Sequence, residues 1–134
     1  KLVDDLGLNE KVVFTGRANV MEYYSFLDLL LLTSISEGQP LSILEGLASG
    51  VPFISTDVGN CREILLEKTD IGEAGVIIPP TSYTDLALAL VQLYHSPEKL
   101  EEFSKNGKKI VEKYYSKAAF IQQYREIYDE MGRL

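Results

Sequence analysis

Apolar positions along the chain switch between two spacings, and each switch marks an element. Lys1 to Leu6 has helical character and stops at Gly7, a suitable C-terminal cap. Val12, Val13, Phe14 and Thr15 are β-branched or aromatic and predict a strand ended by Gly16. Asn19, with Glu22 three residues on, approximates a capping box and predicts a helix through Tyr23, Tyr24 and Phe26. Leu29 to Leu32 is apolar without alternation, as expected of a parallel strand buried on both faces. A loop, Thr33 to Gly38, leads into a helix with Pro40 in its first turn and Gly50 past its end. Phe53 to Thr56 predicts a strand, Asp57 to Asn60 a tight turn, Cys61 to Leu66 a short helix, and Gly75 to Ile78 a strand closed by Pro79 and Pro80.

The remainder, about residues 81–134, is helical in pattern. Thr81 to Tyr94 carries Leu86, Leu88, Leu90, Val91 and Leu93. Ser96 and Pro97 open the next helix as cap and first residue, and Ser116 caps the last. In that last helix Phe120, Ile121, Tyr124, Ile127, Tyr128 and Met131 form one apolar stripe, which predicts docking against another surface. Strands separated by helices imply βαβ units, so the expected fold class is α/β, a Rossmann-like, mostly parallel sheet with flanking helices. The 134 residues suffice for one domain. The chain opens inside what reads as the end of a helix, without Met, and this favours a partial domain of a longer protein.

Composition narrows the function. The net charge of −7 argues against a nucleic-acid partner or an anionic membrane surface. No apolar run approaches the roughly 20 residues that span a bilayer. A single cysteine, Cys61, excludes an internal disulfide framework and a cysteine zinc cluster, and fits a cytoplasmic location.

The segment that carries chemistry runs from Glu37 to Glu45. It follows a buried strand and opens a helix, the place where open α/β sheets bind ligands. Gly38 permits close backbone approach. The N–H groups of Gln39, Leu41 and Ser42 are available to a phosphate, since Pro40 has none. Glu37 lies before the helix and Glu45 within it, and helical side chains lean toward the N-terminus. Two carboxylates thus flank a phosphate cradle, and each can accept hydrogen bonds from vicinal hydroxyls. A nucleoside diphosphate sugar presents ribose diol, diphosphate and sugar hydroxyls in that order. Spacing alone is weak support, because two glutamates eight positions apart are ordinary in a chain with 20 acidic residues. The strand–loop–helix frame gives the pair its meaning.

The stretch from Ser36 to Pro52, followed by Ser55 to Glu63, resembles the hallmark of family 4 retaining glycosyltransferases of the GT-B fold. Leu8 to Gly16 and Gly75 to Pro79 match in the same order, so the resemblance covers essentially the whole chain. The wording from Thr33 to Leu41 and from Asp57 to Glu63 is most similar to PelF-type exopolysaccharide glycosyltransferases, which use UDP-glucose. The resemblance implies the C-terminal, donor-binding domain. It makes Glu37 the candidate catalytic carboxylate, holding hydroxyls of the donor sugar, and Glu45 the holder of the ribose hydroxyls. Gly38, Gln39, Leu41 and Ser42 would lie against the sugar and diphosphate, and Gly16 and Arg17 where the base docks. It implies a nucleotide sugar as substrate, no metal or other cofactor, and an N-terminal acceptor domain as partner.

Some features depart from the family. Gly46 stands where the family usually has alanine. Two early strands, and the Arg and Lys that neutralise the diphosphate, are outside this sequence. Counting strands places the gap between Val12–Thr15 and Leu29–Leu32, so the sheet is expected to close across it directly, or chains to associate as a homo-oligomer through exposed strand edges. The fragment alone is expected to be inactive. His95, the only histidine, reads as an exposed helix-end residue, Cys61 as a packed or half-exposed one, and Glu63 as a hydrogen-bonding residue of the turn. A nucleotide-sugar epimerase and a non-catalytic nucleotide-binding or interaction domain are the alternatives.

Overall fold

In the computed structural model, which describes residues 1–132, three short parallel strands carry the domain. The order is α1 (Leu2–Asp5), β1 (Leu30–Leu32), α2 (Leu41–Ser49), β2 (Phe53–Thr56), α3 (Cys61–Leu66), β3 (Gly75–Ile78), α4 (Tyr83–Tyr94), α5 (Pro97–Tyr114) and α6 (Lys117–Met131). The last two positions of the predicted helical section, 133 and 134, lie outside the described residues. Spatial order equals chain order, β1-β2-β3, with Leu31 opposite Ile54 and Ile54 opposite Val76. The predicted α/β class with a parallel sheet and flanking helices is the one observed.

β2 is buried at every position because helices cover both of its faces. On one side Phe53 packs with Ile43 and Leu47 of α2, Ile64 and Leu65 of α3, and Ile110 of α5. On the other Ile54 and Ile78 pack with Ala89 and Leu93 of α4 and Phe103 of α5. Each of these Leu, Ile and Phe side chains contributes about 1.5–3 kcal/mol on burial. Ile43 and Leu47 are four apart, one helical face, which fixes how α2 lies on the sheet. Gly46 lies on the same face, and its close packing explains the missing methyl. A Cβ there would stand 2.7 Å from Phe53 Cζ and 2.9 Å from Leu30 Cδ1. Gly50 ends α2 in the left-handed conformation, φ +84°.

Several expectations need correction. Val12–Thr15 is not a strand; Val13 and Phe14 are 82% and 83% exposed. β-propensity expresses the fit of a side chain to a pleated, half-buried surface, and this segment has no neighbouring strand to supply one. The sheet therefore does not close across the gap: β1 pairs only with β2 among the described residues, and Leu31 on it is 44% exposed. The Asn19 helix is replaced by two 3-10 turns, Val20–Glu22 and Tyr24–Phe26. Asn19 gives its amide to the Glu22 carboxylate (2.9 Å) instead of capping the backbone, and only Tyr24 of the segment is buried. Pro40 occupies the cap position of α2 and Leu41 the first turn. Ser82 caps α4 and Ser116 caps α6, but the Ser96 side chain makes no cap bond to α5. α6 buries none of its residues, so its apolar stripe stays largely uncovered.

Candidate functional site

The segment 37–45 sits where β1 ends and α2 begins, beside the turn that follows β2. Three contacts hold it. The Thr56 hydroxyl, at the end of β2, donates to the Ser34 carbonyl at 2.6 Å. The Ser34 hydroxyl donates to Glu37 Oε1 at 2.7 Å, fixing the half-buried carboxylate. The Asn60 N–H donates to the Gly38 carbonyl at 3.0 Å. Gly59, at φ +53°, lies so close beneath that an added Cβ would run into the Gly38 carbonyl and stand 2.7 Å from that of Glu37. Glycine is required here for conformation and for space alike.

Pinning the Gly38 carbonyl to Asn60 leaves the mouth of α2 free on its donor side. The N–H groups of Gln39, Leu41 and Ser42 have no acceptor among the described residues, and all three residues are exposed. With the positive end of the α2 dipole behind them, they suit an anion. Glu45, one turn into α2, is exposed and accepts from the Tyr24 hydroxyl at 3.3 Å. Burial, then the Glu45 charge and hydrogen bond, push the Tyr24 hydroxyl above its ordinary value. The buried Tyr24 thereby ties the 3-10 turns to α2.

The structure thus brings Glu37, Gly38, Gln39, Leu41, Ser42 and Glu45 onto one loop and helix start. Gly16 and Arg17 are not joined to it: both are exposed, and no hydrogen bond or ion pair among the described residues ties either to 37–45. Glu63 accepts from Lys68 (2.8 Å), just after α3, and from Tyr115 (3.4 Å) at the end of α5, rather than bonding its own turn. The turn is held instead by Arg62, whose guanidinium grips Asp57 with contacts of 2.6–3.1 Å. That bidentate bond holds the Asp57 carboxyl below its ordinary range. Cys61 is fully buried in the core. His95 ends α4, edge-on to Tyr94, and borders a cavity with Leu29 and Leu90 that includes none of residues 37–45. Sequence reading missed Tyr24, Ser34, Thr56 and Gly59. Tyr24 and Thr56 act across 21 and 22 positions and leave no local signal; the Ser34 hydroxyl reaches Glu37 only three positions on, and the Gly59 turn was visible.

The family of glycosyl transferases group 1 matches residues 1–110. N-acetyl-alpha-D-glucosaminyl L-malate synthase of Bacillus anthracis is 30% identical over 134 residues, covering 99% of this chain and 34% of that protein. The structure of sucrose-phosphate synthase (tll1590) from Thermosynechococcus elongatus superposes with a TM-score of 0.83 at 25% identity, over 98% of this chain and 33% of that one. Anabaena Alr3699/HepE in complex with UDP-glucose superposes with a TM-score of 0.80 at 22% identity, over 96% of this chain and 35% of that one, a likeness of fold. The chain spans about a third of the length of each. The strand–loop–helix frame around Glu37 and Glu45 lies within the matched span, and the chain belongs to the group 1 glycosyl transferase family.

Proposed function

We propose that this chain is the donor-binding part of a retaining glycosyltransferase that transfers a sugar, glucose from UDP-glucose, to a polysaccharide or glycoconjugate acceptor. One observation carries the reading: N–H groups at the mouth of α2 have no acceptor among the described residues, and the carboxylates before and after them in the chain are each held by a hydroxyl neighbour. The diphosphate takes the N–H groups. Glu45 takes the ribose diol, and Glu37 the hydroxyls of the transferred sugar. As the glycosidic bond breaks, charge collects on the diphosphate, where the helix mouth favours it. No cofactor is invoked. Gly16 and Arg17 keep their place as the base-docking residues. The crystallised UDP-glucose complex of the fold neighbour HepE is consistent with this donor class. The acceptor is held by a further, N-terminal domain, and the free edge of β1 is where additional strands or a second chain would pair. A cytoplasmic setting suits the one free, buried cysteine.

Titration of the protein with UDP and with UDP-glucose tests the assignment. Glu45→Ala should weaken UDP itself by roughly tenfold or more, the loss of hydrogen bonds to a charged group. Glu37→Ala should spare UDP and weaken UDP-glucose. Undiminished UDP binding by Glu45→Ala removes the assignment. The 134-residue chain alone should not turn over UDP-glucose in the presence of acceptors, and turnover would show that it holds a complete site.

A further inference from the structure

The backbone around Glu37 is fixed by the segment that runs from the end of β2 to the start of α3. The Thr56 hydroxyl holds the Ser34 carbonyl at 2.6 Å, and the Asn60 N–H holds the Gly38 carbonyl at 3.0 Å. These two bonds pin both ends of the curl 34–38. Gly59 packs against its last two residues, where an added Cβ would stand 2.7 Å from the Glu37 carbonyl.

The side chain of Glu37 is held differently. No cation pairs with it among the described residues, and its one hydrogen-bond partner there is the Ser34 hydroxyl at 2.7 Å. A glutamate side chain otherwise turns about three bonds, and a ligand that needs one arrangement must order it on binding. The Ser34 bond does so beforehand. It fills one acceptor position of Oε1 and leaves Oε2 open, so the carboxylate meets a ligand hydroxyl already turned.

Ser34 can act in this way only while its own backbone stays in place. Thr56 is 2% exposed and closes β2, so packing holds its side chain. Its single proton goes to Ser34 rather than to the Leu32 carbonyl, which is farther off at 3.4 Å. A strand-end hydroxyl, a loop carbonyl, a loop hydroxyl and a carboxylate thus form one line that starts in the core and ends at Glu37.

We propose that Ser34 and Thr56 are positioning residues for recognition of the donor sugar. They fix the Glu37 carboxylate for the sugar hydroxyls, and so set how much more tightly UDP-glucose is held than UDP. This rests on the assignment of Glu37 to the transferred sugar.

Two measurements on the 134-residue chain test it. Three-bond couplings in NMR spectra of the ligand-free protein report the χ1 rotamer of Glu37. One rotamer is expected in the parent and averaging in Ser34→Ala and Thr56→Val; an averaged Glu37 in the parent overturns the proposal. Calorimetry with UDP and UDP-glucose supplies the second readout. Ser34→Ala and Thr56→Val should weaken UDP-glucose by roughly fivefold, as for one side chain left to be ordered by the ligand, and spare UDP. Ser34→Thr and Thr56→Ser keep the hydroxyl and should restore the difference. Circular dichroism melting checks each variant, and Ser34→Ala carries the test alone if Thr56→Val does not fold. In a Glu37→Ala background Ser34→Ala should have no further effect. Equal losses for UDP and UDP-glucose, or effects that add to those of Glu37→Ala, overturn the proposal. If Glu37→Ala weakens UDP-glucose and Ser34→Ala does not, the positioning role falls and the donor reading stands. If the parent holds UDP-glucose no more tightly than UDP, the assignment of Glu37 to the sugar falls, and the role of Ser34 with it.

Discussion

Gly46→Ala is the sharpest probe of how α2 is held against the sheet. Helix propensity alone favours the change by about 1 kcal/mol. The packing opposes it. The new methyl would lie within 3 Å of two Phe53 ring carbons and of Leu30 Cδ1, against the roughly 3.5–4.0 Å of an optimal carbon contact. Phe53 is 2% exposed, in a strand covered on both faces, so the ring has nowhere to turn. Overpacking of this kind costs about 1–3 kcal/mol, and a trapped ring belongs at the upper end. The expected net loss is about 2 kcal/mol, near 8 °C in Tm for a domain of this size. Urea unfolding followed by circular dichroism measures it, with the exposed Ala48→Gly as a control for propensity alone. Phe53→Leu shortens the obstructing ring, so the double variant Gly46→Ala/Phe53→Leu should recover part of the loss in a mutant cycle. A Gly46→Ala protein more stable than its parent, or strict additivity with Phe53→Leu, would falsify the packing account and leave the glycine unexplained.

Other consequences follow from the same contacts. Tyr24→Phe removes the hydroxyl that steadies Glu45 (3.3 Å) and should weaken UDP binding several-fold, about 1 kcal/mol by calorimetry, with little change in Tm; unchanged affinity would separate Tyr24 from the site. Gly59→Ala should cost about 1–3 kcal/mol through strain and the clash with Gly38, and should shift amide resonances of residues 37–42 in NMR spectra; a silent substitution would mean that the turn does not support the loop. Acid should destabilise the domain. Asp70 is held below its ordinary range by hydrogen bonds from Lys113 (2.5 Å) and Tyr114 (2.6 Å), and Glu63 by that from Lys68. A depressed carboxyl contributes stability above its unfolded pKa, about 4, and loses it as pH falls through the lower folded value. Asp70→Asn should therefore flatten the decline of Tm below about pH 4, and a decline as steep as the parent's would count against that cluster.

The elements legible in the sequence were those whose cause is local. Pro40 before the α2 stretch, Gly50 at its end and the unbroken apolar run of β2 state the strand–helix frame within a few residues, and that frame already located the loop between Glu37 and Glu45. Ser116 capped as written, because a cap needs only a hydroxyl and the next turn. The sequence was misleading where an element depends on what lies beside it. Val12–Thr15 has every residue preference of a strand and no strand to pair with, and the Asn19 segment has a helix signature but buries only Tyr24. Gly46 was legible as a departure from the family's alanine, but its cause, Phe53 and Leu30 packed against it, was not. The supports of the site were invisible for the same reason. Tyr24 meets Glu45 across 21 positions, and Thr56 meets the Ser34 carbonyl across 22. Sequence by itself determined the strand–loop–helix frame that carries Glu37 and Glu45, since that follows from residue type and the order of elements. Only the tertiary structure decided which side chains hold them in place and which strand edge stays open. Those depend on distances between segments, and the chain sets them only when its apolar faces close on one another.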